Sequence, residues 1–110
     1  MAKHEFGIMS NTPSNERYDN YEPEKYSLVA IDDEYIEGLL EEFDEIPCYW
    51  HTLYRLEKNL AYCGITLIPP KSALSFIKVF KRYNKGQYKN VINLFEKAAR
   101  DNKYIIHYGL

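Results

Sequence analysis

The sequence predicts an α+β fold, an antiparallel sheet with helices on one face, and three observations carry that prediction. Short runs rich in β-branched and aromatic residues recur along the chain, as at Tyr26–Ile31 (YSLVAI) and Leu60–Ile68 (LAYCGITLI). Other segments space their apolar residues at i, i+3, i+4 and i+7, the period of a helix with one buried side. Prolines and clusters of Asn, Asp, Ser and Gly separate the two kinds of segment. The order strand, helix, strand, strand, helix, then a further helix, approaches a ferredoxin-like (split βαβ) variant with an extra C-terminal helix.

The elements follow in chain order. From His4 to Met9, His4, Phe6 and Ile8 alternate with Glu5, Gly7 and Met9, the period of a short strand. Ser10–Lys25 (SNTPSNERYDNYEPEK) holds two prolines and no aliphatic residue, so residues 10–25 form an irregular arm within a single domain, 1–110. Tyr18 and Tyr21 are residues a solvated linker rarely needs, and they place the arm along the domain or along a partner. The run Tyr26–Ile31 reads as a strand that stops at Asp32-Asp33, where either acid can cap a helix. From Asp33 to Asp44, Ile36, Leu39, Leu40 and Phe43 share one helical face and Glu34, Glu37 and Glu41 line another. Gly38 inside that helix costs about 1 kcal/mol of propensity.

Pro47 ends the helical pattern, and Cys48–Tyr54 and Leu60–Ile68 read as a hairpin around a polar turn at Arg55–Asn59. Pro69-Pro70 closes the second strand, and Ser72 is placed to cap a helix through about Tyr83 with Ala73, Phe76, Ile77 and Phe80 inward. Asn84-Lys85-Gly86 is a stop signal, after which Val91, Ile92, Phe95, Ala98 and Ala99 mark a last helix over Gln87–Asp101. The tail Tyr104–Ile106 is apolar enough for an edge strand.

A chain of 110 residues can build one core without metal or disulfide staples. Its apolar runs are far shorter than a membrane span, and MAKHEFGIMSNTPSNE lacks the apolar stretch of a signal peptide, so a cytoplasmic setting is expected. Cys48 and Cys63 are expected to be reduced, buried and inert. The charge is segregated: residues 1–50 carry 3 Lys/Arg against 13 Asp/Glu, and residues 51–110 carry 11 against 3. The stripe Glu34, Glu37, Glu41 is therefore expected to brace Lys78, Lys81, Arg82 and Lys85 across the fold. A nucleic-acid partner on the basic helices (Lys71, Lys78, Arg82, Lys89, Lys97, Arg100, Lys103) is disfavoured by the 16 carboxylates of the same molecule.

Setting Tyr54 across from Asn59 fixes which residues share a face of the hairpin. Period-2 alternation then directs Cys48, Trp50, Cys63, Ile65 and Leu67 to the core, and Tyr49, His51, Leu53, Leu60, Tyr62 and Thr66 to the opposite face. That second face mixes rings, imidazole and hydroxyl, which makes Tyr49, His51, Tyr62 and Thr66 the candidate binding residues, unless the arm covers them. His4, His51 and His107 show no ligand spacing, and Cys48 and His51 point to opposite sides of a strand, so no metal is expected. No phosphate loop or dinucleotide fingerprint occurs, and no cofactor is expected. The residues thus favour a binding or protein-interaction module, taking a protein partner or forming a homo-oligomer through an open sheet face. The other class of reading is a small-molecule binder or enzyme with His51 and tyrosines in a pocket.

The segments KHEFGIM, YEPEKY within RYDNYEPEKY, DDEYIE, CYWHTL and LAYCGITLIPP resemble a family of small uncharacterised bacterial proteins of about this length. The likeness covers roughly residues 3–72. It implies a bacterial cytoplasmic setting, and it assigns no activity and no site residue.

Overall fold

In the computed structural model, which describes residues 2–110, six strands form one antiparallel sheet. They are β1 (Lys3–Ile8), β2 (Val29–Asp32), β3 (Pro47–Trp50), β4 (Leu56–Lys58), β5 (Ile65–Ile68) and β6 (Ile105–Tyr108), in the spatial order β2-β1-β6-β5-β3-β4. A split βαβ unit has four strands; this sheet has six, with antiparallel pairing at every step. Met1 lies outside the described residues.

Three helices pack on one face: α1 (Asp33–Glu37), α2 (Pro70–Tyr83) and α3 (Lys89–Arg100). Helix α2 begins with a proline in its first turn, where the missing N–H costs nothing. Ser72 does not cap it; its hydroxyl donates instead to the Pro47 carbonyl at 2.6 Å, tying α2 to β3. Phe6, Phe43, Phe76, Phe80 and Phe95 are all fully buried here and stack with centroid separations of 4.7–6.3 Å.

Two expectations change. The single helix over Asp33–Asp44 is in fact one α-turn to Glu37, then a break at Gly38-Leu39, then a 3₁₀ turn at Leu40–Phe43. The break still buries Ile36, Leu39 and Phe43, so apolar spacing survives the loss of continuous helix. The C-terminal tail is not an edge strand: β6 lies between β1 and β5, and all four of its residues are buried. An apolar IIHY run fits that place because both sides of the strand are covered.

The arm covers the other face. Tyr18, Tyr26 and Leu28 pack over Met9, Ile65, Leu67, Ile106 and Tyr108. Gly7 makes this possible: a Cβ there would lie 2.8 Å from Leu28 and 2.9 Å from Tyr26.

Candidate functional site

The hairpin turns earlier than its sequence suggests. His51 adopts φ 65, a conformation rare for a residue with a Cβ, and stops β3 directly after Trp50. The turn is His51–Arg55, closed by Trp50 N–H to the Arg55 carbonyl at 3.1 Å, and β4 then pairs with β3. Asn59, at φ 73, ends β4, and β5 begins only at Ile65. Trp50 therefore lies opposite Thr66, and Tyr49 opposite Leu67, three residues away from the expected register, an odd shift that exchanges the two faces. Thr66 joins Cys48 and Trp50 on the helix side, whereas Ile65 and Leu67 join Tyr49 on the arm side. Leu60 enters the main core.

The four candidate residues consequently divide. Tyr49 is half-buried beside the arm with Leu53. His51 clasps the arm: its backbone carbonyl accepts from Tyr18 N–H at 2.6 Å, and Nδ1–H is shared between the Tyr18 carbonyl at 3.0 Å and Asp19 Oδ1 at 2.9 Å. The ring fits because Gly64 lacks a Cβ, which would sit 2.6 Å from Nε2. A shallow cleft of about 320 Å³ beside it is lined by Asp19, Tyr21, His51, Cys63, Tyr108 and Leu110, among others.

Tyr62 and Thr66 belong to a polar chain running through the helix side of the sheet. The Asp33 carboxylate accepts from Tyr62 O–H at 2.5 Å and from His4 Nε2–H at 2.9 Å. His4 Nδ1 must then accept from His107 Nε2–H at 2.9 Å, and His107 Nδ1 from the Thr66 hydroxyl at 2.9 Å. Thr66 Oγ1 in turn accepts the Ala61 N–H at 2.9 Å. With both rings neutral, the carboxylate at one end sets the tautomers of both. Both histidines are fully buried, and burial, with His4 alongside, holds His107 well below the ordinary imidazole value. Hydrogen bonds from Tyr62 and His4 keep the Asp33 carboxyl below its usual range, and the same carboxylate pushes the Tyr62 phenol up to about 12.

Sequence reasoning missed this chain because His4 and His107 stand 103 positions apart. One signal was present: His4 alternates onto the same strand face as Phe6 and Ile8, a face too apolar for an unpartnered imidazole. Every donor in the chain has its acceptor, and among the described residues no buried side-chain polar atom lacks a partner. The arrangement knits β1, β5, β6, α1 and the loop after β4 together and presents no free nucleophile. Among the described residues no group of three or more His, Cys, Asp or Glu is arranged to hold a metal ion.

The thiols separate as well. Cys48 is fully buried, and desolvation pushes it up to about 12; Cys63, expected in the core, is exposed in the loop before β5. The charge bracing is narrower than expected. Arg82 reaches Glu42 at 3.0 Å and Lys81 reaches Glu96 at 2.9 Å, and among the described residues no ion pair engages Glu34, Glu37 or Glu41.

What the sheet leaves uncovered is its β4 end. Tyr54 is 76% and Leu56 63% exposed, beside exposed Pro47 and half-buried Tyr49. Arg55 lies over the Trp50 ring at 5.1 Å, and Trp50 Nε1–H donates to the Asn59 carbonyl at 3.0 Å, so the hairpin under these side chains is held firmly. No helix among the described residues is long and apolar enough to cross a membrane. Fold and surface together define an α+β protein with a two-sided sheet, one apolar edge and an internally satisfied polar core. Compared with protein families, curated proteins and solved structures, the chain finds no match.

Proposed function

We propose that the protein is a binding module that self-associates through the β4 end of its sheet. The observation that carries this reading is Leu56, 63% exposed on a strand that ends the sheet and so has one side of its backbone facing no other strand, with Tyr54, 76% exposed, in the turn just before it. Edge strands are normally protected by brevity and charge, and β4 is short, with Lys58 paired to Glu45 and Glu57 to Arg55. Those devices discourage indiscriminate pairing but leave Leu56 bare on the Tyr49 side. Antiparallel pairing of two β4 strands centred on Leu56 sets the two Leu56 side chains directly opposite one another and each Glu57 across from the Arg55 of the other copy. The contact is small and fits a weak, reversible dimer.

Sedimentation equilibrium across a wide concentration range tests this. The wild type is expected to shift from monomer to dimer, and Leu56→Asp to stay monomeric with its melting temperature nearly unchanged, since an exposed site carries little folding energy. A wild type that stays monomeric throughout, or a Leu56→Asp variant that dimerises equally, rejects the reading. The small-molecule alternative draws on the cleft beside His51, Tyr21 and Tyr108. At about 320 Å³ that cleft is at the small end of ligand sites, and its imidazole is already turned toward the arm.

A further inference from the structure

At the opposite edge of the sheet, three aliphatic side chains close the main core only in part. Ile8, Val29 and Leu94 are half-buried, and together with Tyr26 they floor a groove of about 610 Å³ between the segment leading into β2 and the outer side of α3. Ligand sites of this size are lined by apolar residues with a few placed polar groups, and this groove has that composition. Asn90, Asn93 and Lys97 lie on one side of α3 by helical spacing, and Lys25, Ser10 and Ser27 rise from the opposite wall. Two lysines line it and no carboxylate does, on a protein whose net charge is −2. Lys25 also holds Glu22 at 2.9 Å, whereas among the described residues Lys97 makes no ion pair and the Asn90 and Asn93 side chains make no hydrogen bond within the protein. An apolar floor with free amide donors and a free cation at the rim complements a molecule with an apolar body and one anionic head.

We propose that this groove binds a small amphiphilic anion, its hydrocarbon or ring against Ile8, Val29 and Leu94 and its carboxylate, sulfonate or phosphate head toward Lys97, Asn93 and Lys25. The site is independent of the β4 edge, and Leu56→Asp leaves it intact.

The probe is 8-anilinonaphthalene-1-sulfonate, titrated by fluorescence against the folded full-length chain near pH 7. Saturable binding at one site per chain is expected, displaced by dodecanoate or dodecyl phosphate, the two arms ranking the head groups, and poorly by dodecanol. Lys97→Glu is expected to weaken it about tenfold, an attraction exchanged for a repulsion of like size, and Leu94→Gln several-fold. Thermal unfolding of each variant confirms that the fold persists, and Lys97→Gln, with a smaller loss, replaces any variant that does not fold. Lys78→Glu, in the separate groove between α2 and α3 lined by Leu74, Lys78 and Lys81, serves as the control. Unchanged affinity in Lys97→Glu, a loss in Lys78→Glu instead, or equal displacement by dodecanol overturns the proposal.

Discussion

The two sides of the sheet differ in the rings that dominate them. On the helix side all five phenylalanines are fully buried; on the arm side the rings are Tyr18, Tyr26, Tyr49 and Tyr104, half-buried, with only Tyr108 more deeply covered. A helix seals a sheet face from water, and phenylalanine fills such a space without an unsatisfied group. An irregular arm seals it incompletely, and tyrosine suits that boundary because its hydroxyl reaches out, as Tyr21 O–H does to Glu5 at 2.6 Å and Tyr108 O–H does in accepting Glu22 N–H at 3.4 Å. On the arm side tyrosine thus marks a cover made of chain without regular structure, whereas on the helix side Tyr88 is buried against Phe80 with its hydroxyl donating to the Tyr35 carbonyl at 2.7 Å.

Each side of the sheet can be perturbed separately. The largest effect is expected on the helix side: Phe95→Ala should cost about 3–5 kcal/mol by urea unfolding, since that ring touches Phe6, Phe76 and Phe80. A cost near zero would mean that the phenylalanine cluster does not carry the fold. Next comes the polar chain beneath it. Thr66→Val strands His107 Nδ1 and the Ala61 N–H, at about 1–3 kcal/mol by the same measurement.

The chain also sets the pH response. His107 is held below its unfolded value of 6.5, so the unfolded state binds the extra proton first; stability is full above 6.5 and falls as the pH descends from there toward the folded value. Asp33, held below 3.8, adds a second loss as the pH falls from 3.8 through its folded value. At the alkaline end Tyr62, raised from 10.0 to about 12, loses its contribution between those values. Urea unfolding as a function of pH checks all three windows, and a flat profile between 6.5 and 5 would contradict the buried neutral imidazole.

The smallest effect is expected on the arm side. His51→Asn keeps a residue that tolerates the left-handed turn but shortens the reach to Tyr18 and Asp19. Global stability should change by about 1 kcal/mol or less, while amide exchange in residues 14–20 accelerates. Equal exchange in variant and wild type would show that the clasp does not hold the arm.

The helices α2 and α3 and the strand β1 were legible because their signals are local: apolar spacing, a proline pair before Lys71, and Asn-Lys-Gly after Tyr83. Residues 10–22, which hold no aliphatic residue, form no helix or strand. Three features were not legible, each for a physical reason. The turn at His51–Arg55 contains no Gly, Pro or Asn, and the left-handed φ falls on a histidine whose ring is fixed by the distant arm. Missing that turn displaced the register by three residues, an odd number, and scattered the four candidate residues. The central place of β6 depends on pairing with β1, about a hundred residues away, which no local pattern encodes. The polar chain has the same origin, since β6 carries His107 to His4.

Concentration-dependent hydrogen exchange reads directly which part of the arm-side face remains available to a partner. Amides of Tyr54–Lys58 are expected to gain protection as the protein is concentrated, with residues 10–28 unchanged. Protection gained by the arm instead, or by neither segment, would contradict association through the β4 end.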